Sequence, residues 1–144
     1  MKILFKFVIF SLLISEFVMA EENKEEEMML EERKTMLREM TKECQEKEGT
    51  TDDDLEHLMG KNKPETDVQK CYLGCIDKQF GITDGKMFNE EGFLSLIEKL
   101  KYGEEKMHKA KEVAEACKEM ENEDQCLLGE SVWMCLKDAG WEWH

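Results

Sequence analysis

Six cysteines, Cys44, Cys71, Cys75, Cys117, Cys126 and Cys135, constrain this 144-residue chain more than any other feature, separated by gaps of 26, 3, 41, 8 and 8 residues. A three-residue gap puts Cys71 and Cys75 one turn apart on one face of a helix, so each reaches a different neighbouring element. Cys126 and Cys135 are about 900° apart round a continuous helix, on opposite sides, and also point to different partners. Six cysteines allow fifteen pairings, and excluding Cys71 with Cys75 and Cys126 with Cys135 leaves ten.

Whether those thiols are oxidised depends on the compartment, and the N-terminus points to an oxidising one. Lys2 and Lys6 precede and enter an apolar run from Leu4 to Val18, and Val18-Met19-Ala20 offers small residues for cleavage. This is the pattern of a signal peptide over residues 1–20, with a mature domain from 21 to 144. A membrane anchor is the competing reading, but Glu16 interrupts the run and leaves it short of the ~20 apolar residues a span needs. An even cysteine count in a secreted chain of this size argues for three disulfides, which compensate for a modest core.

The formal charge is −14, and one unit more negative without the leader's Lys2, Lys6 and Glu16. A surface this acidic repels phosphates, so nucleic acid is not an expected partner, whereas solubility at high concentration is. One proline and a predominance of Glu, Lys, Met and Leu favour helices throughout. The spacing predicts six: Glu25 to Cys44, with Met29, Met36, Leu37 and Met40 on one stripe; Asp52 to Met59, burying Leu55, Leu58 and Met59; a third opened by Pro64 and Glu65 and closed by Gly81. A fourth is capped by Asn89 and ends at Gly103, a fifth runs from Glu104 to Met120, and a sixth starts at Asp124 and ends at Gly140. The fold class expected is an all-α, compact, disulfide-stapled six-helix bundle.

At this point the chain resembles the insect odorant-binding proteins, the six-cysteine pheromone and general odorant-binding family. The features carrying the resemblance are the leader, the length, three residues between the second and third cysteines, about forty between the third and fourth, and eight between the fifth and sixth. The segment from Gly81-Ile82-Thr83-Asp84-Gly85 to Asn89-Glu90-Glu91-Gly92-Phe93 also resembles that family's connection between its third and fourth helices. The resemblance covers about Glu25 to Gly140. It implies bridges Cys44 to Cys75, Cys71 to Cys126 and Cys117 to Cys135, and a bundle around an apolar cavity that holds a small volatile or lipid-like molecule. No catalytic residue and no cofactor belong to it.

Other chemistries fit the residues less well. Zinc needs paired cysteines or histidines that complete four ligands, and the spacing supplies none. A calcium loop around Asp84 would place Phe80 and Ile82 at ligand positions. His57, His108 and His144 stand in no catalytic constellation, so solvated histidines and no enzymatic activity are expected.

Nine methionines lie beyond the leader, and their unbranched thioethers suit a plastic pocket as well as an ordinary core. The wall residues expected are Leu58, Met59, Leu73, Ile76, Phe88, Phe93, Leu96, Ile97, Val113, Ala114, Val132 and Trp133. Tyr72 and Tyr102 are candidate polar handles for an alcohol, aldehyde or ester. In an extended tail Trp141 and Trp143 face one side, where they are candidates for a lid over the cavity mouth, with a frayed end or docking on the surface as the alternatives for so short a tail. The resemblance thus implies an extracellular carrier, monomeric or weakly dimeric, that takes odorants or pheromones through aqueous lymph to a chemosensory receptor. A secreted interaction protein of saliva, venom or reproductive fluid is the alternative on the same fold.

Overall fold

The computed structural model describes the backbone of residues 2–143 and the side chains of residues 24–143. The leader expected at residues 1–20 and His144 therefore lie outside the described side chains. Six helices follow in order: α1 (Lys2–Glu48), α2 (Asp52–Met59), α3 (Asp67–Phe80), α4 (Glu90–Lys99), α5 (Glu104–Cys117) and α6 (Gln125–Asp138). Among the described residues there is no strand, only the isolated bridges Thr83 to Phe88 and Met87 to Glu121. No helix there is long and apolar enough to cross a membrane.

The chain divides into two units, residues 1–36 and 37–144. In the first, Met28, Met29, Leu30 and Met36 are exposed, and Glu31 pairs with Lys34 at 3.5 Å. Taken by itself, a single helix has no second surface against which a stripe of this kind could be buried.

In the second unit the local chemistry explains each boundary. α1 runs past Cys44 to Glu48, where Gly49 adopts φ 67° and Thr50 N donates back to Gln45 O at 3.0 Å, closing the helix in a left-handed cap. Thr51 and Asp54 form a reciprocal capping box at the start of α2, and Thr66 and Gln69 form another at the start of α3. The expectation that Pro64 and Glu65 open α3 is therefore corrected, since the helix begins after the side-chain cap, not after the proline. Gln69 also donates from Nε2 to Asp54 Oδ1 at 3.0 Å, so the two helix starts are tied together. α4 stops at Lys99 and α5 at Cys117, each about a turn earlier than the apolar pattern suggested.

Between α3 and α4 the chain is pinned to the α5–α6 connection. Phe88 N donates to Met120 O at 2.9 Å and Asn122 N to Lys86 O at 2.8 Å, while Asp84 Oδ1 accepts from the amides of Lys86 and Met87. Asn89 caps α4 through Gly92 N, and Asp124 caps α6 through the amides of Cys126 and Leu127.

Three disulfides join Cys44 to Cys75, Cys71 to Cys126 and Cys117 to Cys135, closing sequence separations of 31, 55 and 18 residues. They tie α1 to α3, α3 to α6 and α5 to α6. In the chain-entropy account each such loop contributes about 3–4 kcal/mol by restricting the unfolded state.

Candidate functional site

Two apolar clusters form the interior of the larger unit. The larger gathers Ile82, Phe88, Phe93, Leu96, Ile97, Leu100, Ala110, Val113, Ala114, Cys117, Leu128, Val132, Leu136 and Trp141. The smaller gathers Cys44, Leu58, Tyr72, Leu73 and Cys75, with Leu55, Ile76 and Trp133 packed against it. Of the wall residues expected from sequence, seven fall in the larger cluster (Phe88, Phe93, Leu96, Ile97, Val113, Ala114, Val132). Leu58, Leu73, Ile76 and Trp133 belong to the smaller. The division passes through α6, because the neighbours Val132 and Trp133 are about 100° apart round the helix and serve different clusters.

Met59 belongs to neither. It is 82% exposed, which corrects its expected place in the wall. Leu58 takes the inward position of α2, and Met59, one residue on at the helix end, is turned outward.

Tyr72 is buried, with its hydroxyl set against the side chains of Gln45 and Thr41, and burial pushes its pKa up. Tyr102 donates from its hydroxyl to Trp143 O at 2.5 Å. Both phenols thus serve contacts within the protein. His57 engages Lys63 O through Nε2 at 2.8 Å, and His108 lies 3.5 Å from Glu112 on the exposed side of α5.

The tail departs most from expectation. Gly140 takes φ 85° and Trp141 N donates to Leu136 O at 2.9 Å, so the chain folds back on α6 instead of extending. The turn delivers Trp141 into the larger cluster, where it is only 6% exposed. Its ring meets Phe93 edge-on at 5.3 Å and Trp143 at 5.6 Å, both between ring centroids. Phe93 also meets Trp143 at 6.3 Å. The two indoles therefore stand roughly perpendicular around one phenyl ring, and Trp141 is part of the core. Lys106 Nζ sits 4.9 Å above Trp141, and Glu142 pairs with Lys61 at 2.9 Å. Lys61 O in turn accepts from Lys137 Nζ.

Two indole N–H groups, those of Trp133 and Trp141, are buried without a hydrogen-bond partner among the described residues. A buried donor left unpaired costs about 1–3 kcal/mol, so each is unexpected in a core built only for stability. Asp77, buried on α3, has its pKa pushed well above the ordinary carboxylate range by desolvation. Sequence reasoning left Ile82, Leu100, Ala110, Leu128 and Leu136 out of the candidate wall. For Ile82 a signal existed, since the residue after a glycine cap commonly packs back on its helix.

The comparisons with known proteins fit this architecture. The profile of the PBP/GOBP family matches residues 26–139. General odorant-binding protein 19d of Drosophila melanogaster is 33% identical over 112 residues, covering 72% of this chain and 74% of the relative. Among solved structures, odorant-binding protein dmelOBP28a from Drosophila melanogaster aligns with TM-score 0.62 and 26% identity, covering 75% of this chain and 92% of that one. The fatty acid binding protein OBP56a from the oral disk of the blowfly Phormia regina aligns with TM-score 0.56 and 27% identity, covering 76% and 92%. With the cysteine frame, the six helices and these matches agreeing, the chain belongs to the PBP/GOBP family.

Proposed function

We propose that this protein is a secreted carrier that holds a small hydrophobic molecule, of odorant or fatty-acid type, in an apolar cavity within the helical bundle. The observation that carries the reading is the larger cluster, an interior of aliphatic and aromatic side chains from the α3–α4 connection, α4, α5, α6 and the tail. The names of its relatives, odorant-binding and fatty-acid-binding, support the ligand class. Three bridges hold the helices, so the scaffold does not depend on a fully packed centre. The leader at residues 1–20 directs the chain to an extracellular fluid, and the acidic surface keeps it soluble there. The cargo is carried through aqueous lymph to a chemosensory receptor, with no catalytic step.

The magnitudes suit carriage with release. Burying about 300 Å² of apolar ligand yields roughly 7–8 kcal/mol gross, which after the cost of association leaves a micromolar dissociation constant. The test is displacement of a fluorescent naphthylamine dye from the oxidised protein by a panel of fatty acids, esters, aldehydes and alcohols. Competition at micromolar concentration is expected from at least one class. Failure of every member to compete would overturn the reading.

A further inference from the structure

The larger cluster is apolar except at one point. Trp141 carries the one buried, unpartnered polar atom found in it among the described residues, and Phe93 and Trp143 hold its ring edge-on from two sides. An indole nitrogen only donates, so what would complete it is an acceptor oxygen. A phenyl ring would fill most of the same space and bring no such cost. Tyr72 and Tyr102, the residues whose chemistry first suggests a polar handle, are engaged elsewhere, with Gln45 and Thr41 and with Trp143 O respectively.

We infer that Trp141 Nε1 is the donor that receives the ligand's polar end, so that the cargo is a chain bearing an oxygen acceptor, such as an ester, ketone or aldehyde, and not a plain hydrocarbon. This rests on the carrier reading and narrows it. The selectivity arises because a hydrocarbon leaves the indole N–H unpaired in the closed site, whereas a carbonyl oxygen restores its hydrogen bond. Sites that contain a buried hydrogen-bonding group discriminate against analogues lacking the matching partner. For a single neutral bond the preference is about tenfold in dissociation constant.

The experiment compares tridecane with methyl undecanoate, which are matched in chain length, in dye displacement from the oxidised wild-type protein and from Trp141→Phe. The ester is expected to bind wild type about tenfold more tightly than the alkane, and Trp141→Phe to lose that preference, read as the ratio of the two dissociation constants within each protein. In wild type, the indole N–H resonance of Trp141 should move downfield with the ester and stay in place with the alkane, a readout that does not depend on the variant's folding. Equal binding of the two ligands by wild type, an unchanged preference in Trp141→Phe, or an unmoved resonance with bound ester overturns the inference and leaves the carrier reading standing. If neither these two ligands nor any of the wider panel displaces the dye, the carrier reading itself falls and the inference with it.

Discussion

Gly129 of α6 stands directly on the backbone of Gly74 in α3: a β-carbon at Gly129 would lie 2.3 Å from Gly74 N, and one at Gly74 would lie 2.3 Å from Gln125 O. Those obstacles are backbone atoms, which no side-chain rotation relieves. The Cys71–Cys126 bridge, with Cα atoms 4.1 Å apart, clamps the same crossing and keeps the helices from separating to make room. Replacing Gly129 by Ala is therefore expected to cost about 3 kcal/mol. Gly49→Asn is the control, because nothing lies within 4 Å of a β-carbon at Gly49 and Asn tolerates its left-handed backbone. Denaturant unfolding of the oxidised proteins checks this, and equal midpoints for Gly129→Ala and wild type would show that the crossing is not sterically fixed.

How much of this was legible from the chain differs from residue to residue. The cysteine frame with its family resemblance, together with the periodic apolar positions of α4 and α5, pointed to helices and to an interior containing Phe93, Leu96, Ile97, Val113 and Ala114. All five are buried in one cluster. Met59 and Leu58 were not separable by composition, since adjacent apolar residues at a helix end differ only in direction, which the tertiary packing sets. The place of Trp141 was missed for another reason. Alternation around Glu142 suggests an extended tail, but Gly140 is free to take a left-handed conformation, and that turn overrides the alternation. Nor does a one-dimensional pattern reveal that Val132 and Trp133 divide two clusters.

Thr66 is a case in which two sequence signals competed. Pro64 is a familiar helix opener, yet Thr66 with Gln69 three residues on is a capping signature, and the structure uses the latter. Thr66→Ala is expected to lower stability by about 1 kcal/mol, and Thr66→Ser by only a few tenths. Because Gln69 also reaches Asp54, Gln69→Ala should loosen the starts of both helices, seen as faster amide exchange in α2 as well as α3. Exchange altered in α3 alone would contradict the link.

Asp77 predicts a pH dependence of definite sign. Burial raises its pKa in the folded protein, so the native state holds this proton at pH values where the unfolded chain has released it. The native state then binds more protons, and stability falls as pH rises from the ordinary carboxylate range through the raised value. The contribution is complete below that range and lost above it. Asp77→Asn, which cannot ionise, is expected to be more stable than wild type at neutral pH, with the gap closing below about pH 4. Subtracting the two thermal-stability profiles isolates this residue from the lowered pKa values of Asp54 and Asp84, which affect both proteins alike. A gap constant with pH would show that Asp77 ionises normally in the fold.

The docked tail can be told from a frayed one by comparing its two indoles. Trp141 is buried in the larger cluster, and its removal to Ala leaves a cavity beside Phe93, so a loss of about 3–5 kcal/mol is expected. Trp143 is half-buried at the edge of that cluster, and its main-chain carbonyl, not its side chain, accepts from Tyr102. Trp143→Ala should therefore cost about 1 kcal/mol, and Tyr102→Phe a similar amount through the lost hydrogen bond. Urea unfolding of the three variants with all bridges intact gives the order directly. If Trp141→Ala and Trp143→Ala both unfold at the wild-type midpoint, the tail is not part of the core; the large loss expected at Trp141 alone would instead mean that the turn at Gly140 builds one wall of the interior.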